Sequence, residues 1–258
     1  MPLKYVEPPE AVFVDSGADT LLGALYRPTE NGGQPHPTLV LLPGMPGTHL
    51  DSSFLGYGLA AAGWNVLTIH YRGTWGSGGV ASAARLMEDT ASAVEFVSRD
   101  PGVDSDRLAI GGSSFGGWLA GRYAAQDDRL LAVVLIAPLV SPSGLKGPPH
   151  VDPAMFASWS QRGRAMLGGS ETAFQLFRQD YADQPSLLDV AKGLRNRRVL
   201  IVTGDRDGNI PAQDTKALIG AIETAKWIRE PDADHAFSKH RQWLTQTVVD
   251  WLATVTPR

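Results

Sequence analysis

The sequence of 258 residues contains no cysteine. Disulfide bonds, thiolate nucleophiles and cysteine-bound metal ions are therefore excluded from its chemistry. An excess of basic residues is also missing, because 23 lysines and arginines stand against 27 aspartates and glutamates, and the formal net charge is −4. Since nucleic-acid-binding surfaces are basic, this balance argues against a nucleic-acid partner.

Long apolar segments are scarce as well. Residues 1–10, MPLKYVEPPE, contain no apolar core of the kind that a signal peptide needs. The longest apolar run, LLAVVLIAPLV at residues 130–140, is too short to span a bilayer and is interrupted by Pro138. We therefore expect a cytoplasmic protein without membrane insertion. No feature of the sequence indicates an oligomeric state.

Short apolar runs alternate with segments of helical periodicity along most of the chain. Continuous runs such as TLVLLPG (38–44), RLAIGGS (107–113) and LLAVVLIAPLV are typical of strands buried on both faces. Residues 11–28 indicate two further strands joined by a glycine turn. We predict one α/β domain over residues 1–258, with a mostly parallel sheet, an antiparallel N-terminal strand pair and helices on both faces.

Residues 141–197 interrupt this alternation. They contain no convincing buried strand, begin with the proline- and glycine-rich SPSGLKGPPH, and continue with segments of helical appearance. We interpret them as an insertion between two strands, which either forms a cap over a site or adds helices that cover the core. A cap would supply apolar side chains to a substrate pocket, and the candidates for the pocket are Phe156, Trp159 and Phe174.

A glycine-rich corner lies at residues 111–117, GGSSFGG, between a predicted strand and a predicted helix. Gly112, Ser114 and Gly116 fit the pattern G-x-S-x-G, and a strand–turn–helix context is what the nucleophile elbow of serine hydrolases requires. Glycines are needed on either side because a Cβ atom there would collide with the neighbouring strand and helix. We predict that Ser114 is a nucleophile, whereas the alternative is a turn without chemistry.

A serine nucleophile needs a base and an acid, which in such folds follow it in the order acid, then histidine. His235, in the loop after the last predicted strand, occupies the expected place of the base. Asp207 lies three residues beyond the preceding strand and could fix the tautomer of the histidine. We expect Asp205 to bond backbone amides of its turn instead, and Asp234 to order its own loop.

An oxyanion hole needs two amide donors. One is the amide of Phe115, directly after the proposed nucleophile. The segment LLPGMPG at residues 41–47 follows a predicted buried strand, and its glycines let the backbone turn with free amides. Because Pro46 has no amide hydrogen, Met45 is the candidate for the second donor, although the segment could also be a plain strand-to-helix turn.

These motifs carry a resemblance to the α/β-hydrolases over nearly the whole chain. PGMPG (43–47) is similar to their oxyanion loop, with Pro43 where many members have histidine. YRGTWGSGG (71–79) followed by DRLAIGGSSFGG (106–117) resembles the catalytic domain of the prolyl oligopeptidase and acylaminoacyl-peptidase group and small bacterial esterases. Dienelactone hydrolases are similar in size but use a cysteine nucleophile.

The resemblance implies a serine hydrolase with the triad Ser114, Asp207 and His235 that needs no cofactor. The related peptidases usually carry an N-terminal propeller, whereas a short strand pair precedes the sheet here. This difference favours hydrolysis of a small-molecule acyl ester, with a peptidase as the alternative. A binding protein on the same scaffold is a further alternative.

Residues 76–81, GSGGVA, suggest a different function, because they fit the dinucleotide-binding pattern G-x-G-x-x-G/A. The loop before them is longer than the tight turn of that motif, and no acidic residue clearly ends a following strand at the right distance. The sequence also contains no P-loop and no H-E-x-x-H spacing. We therefore expect neither a cofactor nor a metal ion.

Overall fold

The computed structural model describes residues 7–29, 33–45, 47, 52–142, 157, 161 and 178–255. Eight strands of this part of the chain form one sheet in the order β1-β2-β4-β3-β5-β6-β7-β8. The strands are β1 (Glu10–Ser16), β2 (Asp19–Tyr26), β3 (His36–Leu42), β4 (Asn65–Ile69), β5 (Val103–Ser113), β6 (Leu130–Ile136), β7 (Arg198–Gly204) and β8 (Lys226–Glu230). The helices are α1 (Ser53–Ala61), α2 (Ala83–Ser98), α3 (Phe115–Ala124), α4 (Leu187–Leu194), α5 (Ala212–Ala221) and α6 (Arg241–Ala253).

The strand directions confirm the predicted α/β-hydrolase fold class. β1 pairs with β2, and β2 with β4, in antiparallel fashion. All other neighbours in the sheet are parallel. The chain turns from β1 into β2 at Gly17, whose φ of +61° lies in the left-handed region that glycine adopts without strain.

Helices cover both faces of the sheet, which explains the continuous apolar runs. In β3, Val40 and Leu42 pack into one core cluster with side chains of α2, α3, α4 and α5. Their neighbours Leu39 and Leu41 point to the opposite face and pack with side chains of α1 and α6. Because successive side chains of a strand face opposite sides, a strand between two helix layers must be apolar at every position.

The strand order reverses beside β3, and this reversal determines where a ligand site is expected. β4 lies on one side of β3 and β5 on the other, so the segments that follow β3 and β5 separate at the carboxyl edge of the sheet. Leu42 at the end of β3 is level with Gly112 near the end of β5. A crevice outside the carboxyl ends of the strands at such a reversal is the usual ligand site of an open α/β sheet.

The predicted insertion at residues 141–197 is described only in part. Residues 178–182 are helical, and α4 follows with a capping box between Ser186 and Asp189. Helix α4 is absent from the predicted elements; its three buried side chains pack onto the sheet and α3, and they are Leu187, Ala191 and Leu194. The pocket candidates Phe156, Trp159 and Phe174 lie outside the described residues, so the cap stays a prediction.

No helix in the described ranges is both long and apolar enough to cross a membrane.

Candidate active site

Ser114 occupies a strained turn between the sheet and a helix. β5 ends at Ser113 and α3 begins at Phe115, while Ser114 has φ 55° and ψ −117°. A positive φ is rare for a residue with a side chain, and surrounding structure must hold it. Backbone hydrogen bonds do so: the Ser114 amide donates to the Ile136 carbonyl at 2.9 Å, and the Leu139 amide donates to the Ser114 carbonyl at 2.9 Å.

The glycines around Ser114 are required by close backbone contacts. A Cβ atom on Gly112 would overlap the backbone of Gly116, in the first turn of α3. A Cβ atom on Gly116 would overlap the carbonyl oxygens of Leu42 and Pro43, at the end of β3. The predicted steric reason for both glycines is thus confirmed, since the first meets the helix and the second meets the neighbouring strand.

His235 and Asp207 are joined directly. Nδ1 of His235 lies 2.8 Å from Oδ2 of Asp207, and both side chains are largely buried. The other carboxylate oxygen, Oδ1, accepts the amides of Asn209 and Ile210 at 2.8 and 3.0 Å. A carboxylate held by two amides accepts the hydrogen of Nδ1, so the lone pair of the neutral imidazole is on Nε2. The pair therefore presents a base at Nε2.

The other two aspartates near this pair have different partners. Asp205 forms a bidentate ion pair with Arg229, with N–O distances of 2.9 and 2.7 Å. The expectation that Asp205 bonds backbone amides of its turn is therefore wrong, because the neighbouring strand β8 supplies a guanidinium. Asp234 accepts the amide of Ser238 at 2.8 Å, and backbone hydrogen bonds lower its pKa. Asp234 thus orders its own loop, as predicted.

Ser114 and His235 line one cavity of about 340 Å³ at the carboxyl edge of the sheet. Met45 and Phe115 are also part of its wall. Most other lining side chains are apolar, and the sequence did not identify them; they are Phe54, Leu55, Ile136, Leu139, Ile210, Phe237 and Leu244. These residues come from the first turns of α1 and α6, from the end of β6, and from the loops that follow β6, β7 and β8.

The segment after β3 approaches the proposed nucleophile closely. A Cβ atom on Gly44 would lie 3.4 Å from the Cβ of Ser114. The turn is closed by a 2.7 Å hydrogen bond from the Gly47 amide to the Gly44 carbonyl. Within the described residues the Met45 amide has no hydrogen-bond partner, and the Phe115 amide belongs to the first turn of α3, where helix amides point outward. The segment that carries the Met45 amide thus lies beside the turn at Ser114.

The glycines of residues 76–81 serve packing against the strand pair. The Gly78 amide donates to the Thr20 carbonyl in β2 at 2.9 Å. A Cβ atom on Gly79 would overlap the carboxylate of Asp19. In a dinucleotide site such amides face the pyrophosphate instead. Here the contacts with Asp19 and Thr20 explain why glycine occupies these positions. The described residues also contain no group of three or more His, Asp or Glu side chains that could hold a metal ion.

Comparison with known families decides where the chain belongs. Residues 52–257 match the model of the prolyl oligopeptidase family. The chain belongs to this family. Together with the α/β-hydrolase fold, this membership places the chain in the serine hydrolase superfamily.

Curated relatives of this prolyl oligopeptidase family member include two bacterial proteins. The uncharacterized peptidase YuxL of Bacillus subtilis is 26% identical over 252 residues, which cover 90% of this chain and 36% of YuxL. An uncharacterized protein of Mycobacterium tuberculosis is 26% identical over 249 residues, which cover 92% of this chain and 80% of that protein. The chain thus spans about a third of the first relative and four-fifths of the second.

Solved structures share the fold at low sequence identity. A hypothetical protein from Pseudomonas aeruginosa has a TM-score of 0.80 at 19% identity, with 99% of this chain and 96% of that chain covered. Est1E from Butyrivibrio proteoclasticus has a TM-score of 0.74 at 17% identity, with 94% of this chain and 97% of that chain covered. The acylaminoacyl peptidase of Pyrococcus horikoshii has a TM-score of 0.71 at 16% identity, with 99% of this chain and 43% of that chain covered.

Proposed function

We propose that this member of the prolyl oligopeptidase family is a carboxylic ester hydrolase that forms an acyl-enzyme on Ser114. The observation that carries the proposal is the 2.8 Å hydrogen bond between His235 and Asp207. His235 lines the same cavity as Ser114, which lies at the turn between β5 and α3. A nucleophile, a base and an acid that orients the base are the complete set for nucleophilic catalysis by serine.

The reaction follows from this set. Oγ of Ser114 attacks the acyl carbon while Nε2 of His235 takes its proton, and Asp207 stabilises the imidazolium that forms. The amides of Met45 and Phe115 donate to the oxygen that becomes negative. The leaving alcohol takes the proton back from His235. Water then attacks the acyl-enzyme with His235 as base, which releases the acid and restores Ser114.

The cavity favours small acyl esters. Its volume of about 340 Å³ is at the lower end of the range for small-molecule sites. Its mostly apolar wall suits an acyl chain better than the polar backbone of a peptide. We further propose that residues 141–197 act as a cap, in which Phe156, Trp159 and Phe174 set the preferred acyl length; alanine at these positions would then shift that preference.

A peptidase is the second candidate. YuxL is named as a peptidase, and a structure of similar fold is an acylaminoacyl peptidase. The test is to measure kcat/KM for p-nitrophenyl esters of increasing acyl length beside an N-acetyl-aminoacyl p-nitroanilide. The proposal expects turnover of the esters and a much smaller kcat/KM for the anilide. An anilide turned over as fast as the best ester would favour the peptidase.

A binding protein without chemistry would be recognised by labelling. A fluorophosphonate should react stoichiometrically with the wild-type protein and should not react with Ser114→Ala. Labelling that survives in Ser114→Ala and is lost in Ser113→Ala would instead assign the nucleophile to the neighbouring serine. No labelling of the wild type would support the binding protein.

A further inference from the structure

Arg241 is the one side chain with a permanent charge among the described residues that line the cavity. No aspartate or glutamate is found in the same set. The rest of the wall is apolar or neutral, apart from the imidazole of His235. The cavity therefore combines a small apolar volume with a single cation, and the mechanism proposed above gives that cation no task.

The guanidinium of Arg241 lies against the cavity wall. Arg241 is the first residue of α6, and its guanidinium carbon lies 5.2 Å from the centre of the Phe54 ring. Phe54 lines the same cavity. Stacking of this kind holds the planar group by cation–π attraction and leaves its edge, with the N–H groups, free to donate.

No acidic side chain of the described chain neutralises Arg241. Within those residues it forms no ion pair. The acids near it in sequence are engaged elsewhere: Glu230 lies 3.9 Å from Nε2 of His240, and Asp234 accepts the amide of Ser238. Most other arginines in the described ranges do have carboxylate partners, which include Arg27, Arg72, Arg129, Arg197 and Arg229.

We propose that Arg241 binds a carboxylate of the substrate, so that the preferred substrates are esters that carry a second, ionised carboxyl group. This inference rests on the proposed function and names its substrate class. A planar guanidinium can donate two parallel hydrogen bonds to a carboxylate. Because Arg241 is exposed to solvent at the rim of the cavity, we expect a modest gain in binding from such a pair. An apolar spacer between the two carboxyl groups would contact the remaining wall.

The test compares matched pairs of esters. Mono-p-nitrophenyl esters of adipic, pimelic and suberic acid carry a free carboxylate. Their neutral partners are the same p-nitrophenyl esters in which the second carboxyl group is a methyl ester. A second pair, 4-carboxyphenyl acetate and its methyl ester, places the carboxylate in the leaving group. For each pair the readout is the ratio of kcat/KM for the anionic ester to that for the neutral ester, after correction for spontaneous hydrolysis.

The expected result is a ratio that depends on Arg241. In at least one pair Arg241→Gln should lower the ratio by roughly three- to tenfold, while Arg241→Lys should retain part of it. Arg99→Gln is the matched control, because it removes the same charge from an exposed residue at the end of α2 that does not line the cavity. In the wild type the ratio should decrease as salt is raised from 10 mM to 0.5 M.

Two results would overturn the inference. One is a ratio that is the same in Arg241→Gln and the wild type for every pair. The other is an equal decrease in Arg99→Gln, which would show an effect of net charge alone. If no ester of either kind is hydrolysed, the proposed function fails, but Arg241 can still be judged by calorimetry. The dissociation constant for 4-phenylbutanoate should then rise in Arg241→Gln while that for 4-phenylbutan-1-ol should not, and no difference would again overturn the inference.

Discussion

The phenol hydroxyl of Tyr71 donates a hydrogen bond of 2.6 Å to the carbonyl oxygen of Pro43. Pro43 directly precedes Gly44 and Met45, so this bond fixes the segment that carries one proposed oxyanion donor. The ring of Tyr71 also packs edge-on against Phe115, with ring centres 6.0 Å apart. Tyr71 is fully buried, and burial raises the pKa of its hydroxyl well above the usual value. Tyr71 thus contacts Pro43, which precedes the segment with the proposed donor Met45, and Phe115, whose amide is the other proposed donor.

Tyr71→Phe should therefore lower kcat by about tenfold and leave KM nearly unchanged. Loss of the hydroxyl leaves the Pro43 carbonyl without its donor and lets the Met45 amide move from its position, which matters chiefly in the transition state. Steady-state kinetics with a p-nitrophenyl ester measure both constants. The free energy of unfolding should also fall, by about 1–3 kcal/mol.

The control for Tyr71→Phe is Tyr123→Phe. Tyr123 lies on α3 outside the cavity wall, and its hydroxyl donates to Asp127 at 2.8 Å. Its removal should reduce stability without lowering kcat. If both variants lowered kcat to the same extent, Tyr71 would be structural only.

Ser114→Ala should reduce kcat for esters by on the order of 10³-fold or more and leave the fold intact. Ser113→Ala should keep most of the activity, although Ser113 also lines the cavity. Initial rates and circular dichroism of the two purified variants check this. An inactive Ser113→Ala with an active Ser114→Ala would mean that the G-x-S-x-G frame is wrong.

Asp207→Asn should reduce kcat by roughly 10⁴-fold, because an amide in place of the carboxylate favours the wrong tautomer of His235. Asp205→Asn should change kcat little, since Asp205 pairs with Arg229, which is about half exposed, and such pairs contribute little. The comparison of kcat at one pH decides between the two aspartates. Losses of similar size would contradict the role given to Asp207.

Asp127 should contribute to stability only above acidic pH. Hydrogen bonds from Arg129 chiefly, and from Tyr123, lower the pKa of Asp127 to about 2. Because the pKa is lower in the folded than in the unfolded chain, the stabilisation is present above the unfolded value near 4 and is lost as pH falls toward about 2.

Urea unfolding of Asp127→Asn measures this contribution. The free energy of unfolding should be about 1 kcal/mol lower than that of the wild type at pH 7, a modest value because solvent screens the half-exposed Arg129. The difference should shrink as the pH is lowered to 2.5. Asp106→Asn, at an exposed position, is the control and should show no such trend. A difference that stays constant with pH would exclude the ion pair as its cause.

The sheet and the corner around Ser114 could be predicted from sequence because both depend on local patterns. A strand between two helix layers needs an unbroken apolar run, as at residues 130–136, and the elbow needs Gly112 and Gly116 at fixed spacing. The contact between Asp207 and His235 could be predicted because each residue follows a recognisable strand, and chain order limits the choice.

The partner of Asp205 and the walls of the cavity could not be predicted in this way. Arg229 is 24 positions from Asp205 and becomes its neighbour only through the pairing of β7 with β8. Phe54 and Arg241 are nearly 190 positions apart and meet because α1 and α6 cover the same face of the sheet. Neither residue has a sequence pattern that indicates the contact. Such long-range pairs depend on how the layers are arranged rather than on periodicity.

The turn at Ser114 is held through its backbone alone. Its amide bonds the end of β6, and its carbonyl accepts the amides of both Trp118 and Leu139. The side chain takes no part in these bonds, and the steric conditions fall on the flanking glycines. The backbone geometry at this position therefore does not depend on which small side chain it carries. Cysteine in place of Ser114 would present a thiol to the same cavity and to the same imidazole of His235, so the proposed nucleophile can be changed from oxygen to sulfur without a change of fold.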